Sequence, residues 1–325
     1  MEGSLLPART LGPDGPPVGA IGLGCMGMSW AYSPEDRDDE RSISVIRHAI
    51  EIGVNLIDTA DVYGPFTNEE LVGRALEGRR AGAVLATKCG LEVRSVQPLE
   101  LVRNGRPEHV RAAIDASLQR LRTDHVDLYQ LHRTDPEVPV QETWSAMAEA
   151  VSSGKARAIG MSEATVVELE AAQAIHPVAS LQSEFSLWER GPVENGVLAW
   201  CREHGAAFIP FAPLGRGFLT GTVTGETITE GDMRGSNPRF TEEAMEQNQA
   251  ILERVRAVAE RNDATPGQVA LAWLLAQYDR LVPIPGTRRI ERLTENAGAA
   301  RVELSAEDLN ELDALPAPAG ARYRA

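Results

Sequence analysis

Short apolar runs alternate along this chain with longer segments in which apolar residues recur every three or four positions. Such runs are typical of buried parallel strands, and the longer segments are typical of amphipathic helices, so their alternation predicts βα units around a parallel sheet. Eight runs are found, near Val18–Leu23, Val54–Ile57, Ala83–Thr87, Val126–Leu131, Ala156–Met161, Ala179–Gln182, Ala207–Phe211 and Leu281–Ile284. Eight strands favour a closed (β/α)8 TIM barrel over an open doubly wound sheet.

Helical periodicity occupies most of the intervals between these strands. Helices are predicted over Ser42–Ile52, Asn68–Glu77, Pro107–Leu121, Glu142–Ser152, Thr165–Ile175, Asn195–Glu203 and Ile290–Ala299. The long amphipathic segments Glu242–Arg261 and Pro266–Gln277 add extra helices in the C-terminal part. No interdomain linker or low-complexity tract interrupts the pattern, so we expect residues 1–325 to form a single barrel domain.

Two stretches depart from the simple alternation. Before the first strand, a Pro-Asp-Gly turn between short extended pieces predicts a β-hairpin that caps the floor of the barrel. Between the seventh and eighth strands lies a Gly-, Thr- and Pro-rich segment, Gly215–Phe240. A loop of this length in a compact domain is usually functional or disordered.

Composition narrows the classes of partner and site. The 47 acidic residues outnumber the 32 basic ones, and a formal net charge of −15 disfavours binding to nucleic acid or to anionic membranes. Three widely spaced cysteines argue against a disulfide framework or a thiolate metal site, and we expect no bound metal. Neither a signal-peptide pattern nor a run of about 18 apolar residues is found. We therefore expect a cytoplasmic protein.

Four residues with acid–base chemistry follow successive predicted strands. Asp58 and Tyr63 follow the second strand, Lys88 the third and His132 the fourth. The carboxyl ends of barrel strands meet at one face, where barrel enzymes carry out their chemistry. The four side chains are therefore expected to surround one space of the size of a carbonyl group.

These residue types suit the reduction of a carbonyl, because the developing alkoxide needs a proton. The Tyr63 hydroxyl can supply it, and an ammonium at Lys88 would lower the tyrosine pKa from its usual value of about 10. Asp58 would keep Lys88 charged and oriented. His132 would orient the carbonyl oxygen or take part in the proton relay.

Three blocks carry a family resemblance: Asp58-Thr-Ala-Asp-Val-Tyr63-Gly, Ala86-Thr-Lys88 and Leu128-Tyr-Gln-Leu-His132. In order and spacing they resemble the blocks of the aldo-keto reductase superfamily. The resemblance extends from Gly22 to Asn296 and is strongest to bacterial members with Gly-Arg-Gly-Phe-Leu-Thr-Gly after the seventh strand. It implies a (β/α)8 barrel, an NADPH cofactor, and Asp58, Tyr63, Lys88 and His132 as the catalytic residues.

A phosphate site is expected after the eighth strand. No Gly-x-Gly-x-x-Gly lies at a strand-to-helix turn, which argues against a Rossmann domain. In Ile284-Pro-Gly-Thr-Arg-Arg289, a strand ends, a turn exposes backbone N–H groups and a helix begins, an arrangement that binds phosphate. Arg288 and Arg292 lie four positions apart, so we expect them on one helical face, with both guanidinium groups directed at a phosphate.

The resemblance assigns the rest of the cofactor site. It implies that Thr287 and the two arginines hold the adenosine 2′-phosphate, that Glu295 and Asn296 hold the adenine, and that the nicotinamide contacts Ser162, Glu163, Gln182 and the ring of Phe211. Many members carry Asn at the position of Glu163 and Tyr at that of Phe211. The remaining residues implied are Gly24, Cys25, Met26, Asp58, Ala212, Pro213, Leu214, Gly215, Arg216, Gly217, Pro285 and Gly286.

The aromatic residues divide into two groups. Trp144 and Trp273 lie on apolar faces of predicted helices and are expected in the core. Trp30, Tyr32, Phe66 and Trp188 lie on loops at the carboxyl ends of strands and are candidates for a substrate pocket.

The leading hypothesis is an NADPH-dependent carbonyl reductase that acts on a small molecule. A Schiff-base aldolase that uses Lys88 is disfavoured, because it has no use for a nicotinamide site. A third class is non-catalytic, because the superfamily includes potassium-channel β subunits that bind NADPH. Neither the physiological substrate nor the oligomeric state follows from the sequence.

Overall fold

The computed structural model describes residues 6–323, and its centre is a parallel barrel sheet. Its strands are β1 Ala8–Thr10, β2 Pro17–Gly19, β3 Leu23–Gly24, β4 Leu56–Asp58, β5 Val84–Cys89, β6 Leu91–Val96, β7 Leu99–Arg103, β8 Val126–Leu131, β9 Ala156–Ser162, β10 Ser180–Glu184 and β11 Ala207–Phe211. Seven of them form the barrel sheet, in the order β11-β10-β9-β8-β5-β4-β3. The first predicted strand is thus divided between β2 and β3.

Residues 281–284 complete the ring as an eighth extended segment. The amides of Val282 and Ile284 donate to the carbonyls of Phe208 and Pro210 in β11. On the other side, the amide of Gly22 donates to the carbonyl of Pro283, immediately before β3. The sheet therefore closes on itself, as the eight predicted strands require, and the (β/α)8 fold class is confirmed.

Helices surround this sheet, and most lie within two or three residues of their predicted bounds. They are α1 Met26–Ser29, α2 Asp39–Glu51, α3 Thr67–Leu76, α4 Pro107–Leu121, α5 Val140–Ser152, α6 Val166–Gln173, α7 Gly191–Glu194, α8 Val197–His204, α9 Glu242–Arg261, α10 Pro266–Gln277, α11 Ile290–Gly298 and α12 Ala306–Asp313. No helix within residues 6–323 is long and apolar enough to span a membrane.

The barrel interior is apolar in its lower part and polar in its upper part. Alternate residues of each strand point inward, and an apolar layer that includes Leu56, Ala86 and Leu128 fills the lower part. Two residues farther along the same strands stand Asp58, Lys88 and Gln130, all of them buried. The lower layer therefore supports a polar layer at the carboxyl ends of the strands.

Two hairpins flank the barrel. The antiparallel pair β1–β2 confirms the predicted N-terminal hairpin, and Leu11 in its turn packs into the lower apolar layer. The pair β6–β7, between β5 and α4, is absent from the prediction. Its signal is the alternation of Leu91-Glu-Val-Arg-Ser-Val, which is typical of a strand with one face in solvent. Leu91, Val93 and Leu101 from this hairpin pack against the apolar cluster of Ala60, Val62 and Tyr63 at the barrel mouth.

The segment 215–240 is folded into four short 3-10 turns rather than a disordered loop. It contacts the loop that follows α1 at several points. Asp232 accepts from the amide of Ser33 at 3.2 Å, and the amide of Met233 donates to the carbonyl of Ala31 at 2.9 Å. The segment therefore lies across the carboxyl face of the barrel.

Candidate active site

Neighbouring strands bring the four acid–base residues together. Asp58 ends β4, Lys88 is the penultimate residue of β5, and His132 follows β8 directly. Tyr63 comes from the turn after β4, where its amide donates to the carbonyl of Ala60. The order β4-β5-β8 makes these strand ends adjacent, so residues up to 74 positions apart in sequence share one site.

Lys88 is the centre of this group. Its fully buried ammonium donates to Oδ1 of Asp58 at 2.6 Å, to the carbonyl of Thr59 at 2.8 Å and to the Tyr63 hydroxyl at 3.3 Å. These acceptors match the three donors of an ammonium. Although burial lowers the pKa of Lys88, the charges of Asp58 and Tyr63 outweigh it and raise that pKa above its ordinary value. Lys88 is therefore a cation at neutral pH.

Two glutamines hold the other oxygen of Asp58. Gln182 in β10 donates to Oδ2 at 2.8 Å, and Gln130 in β8 donates to the same atom at 3.3 Å. With the Lys88 bond to Oδ1, both carboxylate oxygens are occupied and the rotamer of Asp58 is held. Gln130 was not singled out from the sequence. Its inward position two residues before His132 in β8 is the signal that identifies it.

Burial has the largest effect on the pKa of Tyr63. The net shift is upward, whereas the sequence led us to expect that Lys88 would lower this pKa. Burial of the phenol raises the pKa of Tyr63 above its ordinary value, while Lys88 lowers it only in part. Tyr63 is thus protonated at neutral pH. The hydroxyl therefore carries the proton that a proton donor needs. The nearby charge of Lys88 lowers the free energy required to release it.

His132 faces the Tyr63 ring edge-on, with the ring centroids 5.7 Å apart. Burial, Lys88 and Arg133 all lower the pKa of His132 well below its ordinary value, so the imidazole is neutral. Its Nδ1 is buried and has no hydrogen-bond partner within the described part of the chain. A neutral imidazole at this point can bond a polar atom of a ligand but adds no charge to the site.

The four aromatic candidates for the substrate pocket have different positions. Trp30 lies 5.9 Å from the Tyr63 ring, at the barrel mouth, and Tyr32 is half-buried beside Arg234. Phe66 is exposed and packs over the guanidinium of Arg120 in α4.

The assignment of Trp188 to the pocket is wrong. Its side chain is buried in the core, stacked on Phe218 with the ring centroids 4.4 Å apart and edge-on to Phe240. A Cβ atom at Gly215, where φ is +57°, would stand 2.6 Å from the Trp188 ring. The loop after β11 thus needs glycine at this position to pack over the indole. As expected, Trp144 and Trp273 are also buried.

The basic turn after the eighth segment differs from expectation in its geometry. Helix α11 begins at Ile290, so Arg288 precedes the helix and does not share a helical face with Arg292. Arg288 donates to the carbonyl of Ser33 at 3.1 Å and lies 3.5 Å from Oδ2 of Asp36. Arg292 is exposed. The half-buried guanidinium of Arg288 thus has a carboxylate as its counter-ion, at a place where a phosphate could replace it.

The two residues expected at the adenine have different environments. Glu295 accepts from the Thr265 hydroxyl at 2.7 Å, at the start of α10, whereas Asn296 is buried. Gly24, in β3, approaches the carbonyl of Ile284 so closely that a Cβ atom would stand 2.9 Å from it. This contact brings Cys25 and Met26 beside the turn at Pro285 and Gly286.

The expected nicotinamide end is formed by residues of β9, β10 and β11. Ser162 ends β9 and accepts from Arg133 at 3.1 Å, and Gln182 lies beside it in β10, as the register pairs them. Glu163, at φ +55°, accepts from the amide of Glu184 at 2.9 Å and pairs with Arg322 of the C-terminal tail at 2.8 Å. Neither arginine was singled out from the sequence.

The loop from Ala212 to Gly217 follows Phe211 directly. Four of its residues, Ala212, Gly215, Arg216 and Gly217, have positive φ angles, so the backbone turns sharply over the barrel mouth. Arg216 pairs with the buried Glu184 at 3.1 Å, and its guanidinium lies over the Tyr323 ring. No group of three or more His, Cys, Asp or Glu side chains suited to a metal ion is found between residues 6 and 323.

Comparisons with known proteins agree with this geometry. The family model of the aldo/keto reductase family matches residues 20–317. A protein of Glycine max named probable aldo-keto reductase 1 is 41% identical over 317 residues, which cover 96% of this chain and 90% of the relative.

Two solved structures are similar over nearly the whole chain. Glycerol dehydrogenase from Gluconobacter oxydans is 28% identical with a TM-score of 0.85, covering 96% of this chain and 95% of that one. An aldo/keto reductase from Klebsiella pneumoniae, solved with NADP and acetate, is also 28% identical with a TM-score of 0.72, covering 97% of this chain and 98% of that one. The chain therefore belongs to the aldo/keto reductase family and is an oxidoreductase that uses a nicotinamide cofactor.

Proposed function

We propose that this protein reduces the carbonyl group of small aldehydes or ketones to an alcohol, with NADPH as reductant and Tyr63 as proton donor. The observation that carries the proposal is the buried contact of the Lys88 ammonium with both Asp58 and the Tyr63 hydroxyl. A cation at this position stabilises the negative charge that a tyrosine acquires when it gives up its proton. A purely structural ion pair has no need of the phenol.

Each residue then has a distinct task. Tyr63 holds the proton, Lys88 stabilises the resulting phenolate, and Asp58 keeps Lys88 charged and fixed between strands. Neutral His132 can donate a hydrogen bond to a carbonyl oxygen and orient it, because its tautomer is free to place the proton on either nitrogen. When bound, NADPH supplies the hydride. The substrate would lie near Trp30 and the β6–β7 hairpin, whose apolar side chains suit a carbonyl compound with an apolar substituent.

The residues present fit a dinucleotide. Ser162, Glu163, Gln182 and Phe211 form a polar rim with an aromatic face for the nicotinamide, and the loop Ala212–Gly217 would cover the pyrophosphate. Gly24, Cys25 and Met26, with Pro285 and Gly286, would line its path. Thr287, Arg288 and Arg292 would hold the 2′-phosphate, and Glu295 and Asn296 the adenine. Arg288, whose counter-ion is a surface carboxylate, supports NADPH over NADH.

We further infer that residues 1–325 act as a single domain on a small-molecule substrate in the cytoplasm, with no nucleic-acid or membrane partner. The acidic net charge of −15 supports this assignment.

A substrate screen on the purified chain tests the function. Aldehydes, ketones and sugar-derived carbonyl compounds are offered with NADPH, and oxidation is followed by loss of NADPH absorbance at fixed pH. We expect turnover with at least one class of aldehyde, and turnover of the same compound should be about 10²–10⁴ lower with Tyr63→Phe. Tight NADPH binding without turnover of any compound would overturn the reductase and favour the non-catalytic, NADPH-binding interaction module.

A further inference from the structure

Two glutamates and two arginines form a buried cluster beside the expected nicotinamide end. We call Glu163, Glu184, Arg216 and Arg322 the tail cluster, since Arg322 comes from the C-terminal tail. Arg322 donates through Nε to Glu184 at 2.7 Å and through Nη1 to Glu163 at 2.8 Å, while Arg216 donates to Glu184 at 3.1 Å. The side chains of Glu184 and Arg216 are 4% and 8% exposed, whereas those of Glu163 and Arg322 are 17% and 27% exposed, so the cluster is buried at Glu184 and reaches solvent at Arg322.

The cluster is electrically balanced, with two carboxylates and two guanidinium groups. Burial alone would raise the pKa of Glu163, but Arg322 outweighs it and keeps that pKa below its ordinary value. The carboxylates similarly raise the pKa of Arg322, against the effect of burial. Glu163 and Arg322 are therefore both charged at neutral pH. A ligand that joins such a cluster gains most if it is itself neutral, because an added charge would be left uncompensated at a buried site.

One donor of the cluster remains free. Nη2 of Arg322 is buried and has no hydrogen-bond partner among residues 6–323. The guanidinium carbon lies 5.8 Å from the centroid of the Phe211 ring, the ring expected to stack on nicotinamide. A buried N–H group without an acceptor costs free energy, so a ligand that brings an acceptor to this place is favoured.

The tail holds Arg322 in place without any ligand. Ala319 and Asn248 exchange two hydrogen bonds, at 2.7 and 3.2 Å, and the carbonyl of Gly320 accepts from Arg239 at 3.3 Å. The carbonyl of Arg322 itself accepts from Asn237 at 3.1 Å. The guanidinium is thus preorganised, which lowers the entropy cost of binding at this point.

We propose that Arg322 is a positioning residue for the cofactor, whose Nη2 donates to the carbonyl oxygen of the nicotinamide carboxamide. The inference rests on the proposed function, and it makes the C-terminal tail part of the cofactor site. A carboxamide presents one acceptor and two N–H donors, and it is neutral. Glu163 can accept from the amide N–H but cannot donate. Arg322 supplies the missing donor, so the pair Glu163 and Arg322 does what a single asparagine side chain would do.

Calorimetric binding of two ligands to the full-length protein tests this role. NADPH carries the carboxamide, whereas adenosine 2′,5′-bisphosphate carries the adenine and the 2′-phosphate but no nicotinamide. Arg322→Lys keeps the charge that balances the glutamates but lacks the fork of donors, and Arg322→Leu removes both. Loss of one charge-assisted hydrogen bond should weaken NADPH binding by about tenfold or more in both variants. Binding of the bisphosphate should be unchanged.

Tyr323→Phe is the matched control, because it changes the same tail and removes a hydroxyl that lies 3.4 Å from Glu184, yet leaves the Arg322 donor intact. Its affinity for both ligands should equal that of the wild type. Equal weakening of both ligands in the Arg322 variants, or wild-type NADPH binding in Arg322→Lys, would overturn the proposal. Failure of the wild type itself to bind NADPH would instead refute the proposed function.

Discussion

The ammonium of Lys88 lies 2.6 Å from Oδ1 of Asp58, and both side chains are buried at the centre of the barrel mouth. Taking two charges out of water is costly, and their attraction repays that cost only when the remaining donors and acceptors are also satisfied. Here Thr59, Gln130 and Gln182 satisfy them. The two charges are therefore fixed in place before any ligand binds, and the pair is not a general source of folding stability.

Lys88→Met should abolish most turnover and also destabilise the fold. Methionine keeps much of the volume of the lysine stem but leaves the Asp58 carboxylate buried without a counter-ion, a change that costs about 3–5 kcal/mol. Chemical denaturation measures the free energy of unfolding. The double variant Asp58→Asn/Lys88→Met removes both charges and should recover most of that loss while staying inactive. If the double variant is no more stable than Lys88→Met, the buried charge is not the cause.

Tyr63→Phe should separate chemistry from binding, because it removes one oxygen and keeps the ring that packs on Trp30 and His132. Turnover should fall by about 10²–10⁴, the usual contribution of a positioned proton donor. The loss should appear in kcat more than in KM, since the proton moves only as the transition state forms. A fluorescence titration should show normal NADPH binding. Near wild-type reduction of a simple aldehyde would exclude Tyr63 as the donor.

Arg288→Ala should weaken binding of NADPH but not of NADH. Its guanidinium is expected to form charge-assisted hydrogen bonds to the 2′-phosphate, each worth about 1.5–3 kcal/mol, and NADH lacks that group. The exposed Arg292 should matter less, because solvent screens it. Both dissociation constants are measured by fluorescence titration.

Asp36→Asn should have the opposite effect of Arg288→Ala on the affinity for NADPH. It removes the carboxylate that lies 3.5 Å from Arg288, so NADPH should bind more tightly and NADH as before. An equal change for both cofactors in either variant would rule out a 2′-phosphate site at this turn.

Asp61→Asn should stabilise the protein at neutral pH. Burial and the nearby Glu69 raise the pKa of Asp61 well above its ordinary value, and its buried Oδ1 has no partner in the described chain. The folded state therefore holds a proton that the unfolded state loses above its pKa of about 3.9. Wild-type stability consequently falls as pH rises from that value through the folded pKa.

The stability difference between Asp61→Asn and the wild type, measured by thermal unfolding at several pH values, should consequently grow with pH. At neutral pH we expect the difference to reach up to about 1.4 kcal/mol for each unit by which the folded pKa exceeds the unfolded pKa. Near pH 3 the difference should vanish, since the carboxyl is then neutral in both states. A difference independent of pH would contradict the role of ionisation.

The sequence by itself determined the barrel and its chemistry to a large extent. The periods of two and 3.6 residues identify strands and helices, and the polar residues at the ends of strands β4, β5 and β8 mark the candidate catalytic face. This works because Asp58 and Lys88 lie at the ends of β4 and β5 and His132 directly follows β8, and a parallel barrel places all carboxyl ends of its strands at one face, whatever the details of packing.

Tertiary structure decided what depends on contacts distant in sequence. Whether Trp188 lines a pocket or lies in the core depends on the Gly215 loop, which packs over it from 27 positions away. The net pKa shift of Tyr63 depends on burial, which no local pattern reports. The partner of Glu163 is Arg322, 159 residues away. No periodicity in the sequence encodes such a pair, because hydrogen bonds to Asn237, Arg239 and Asn248 hold the tail at the barrel mouth.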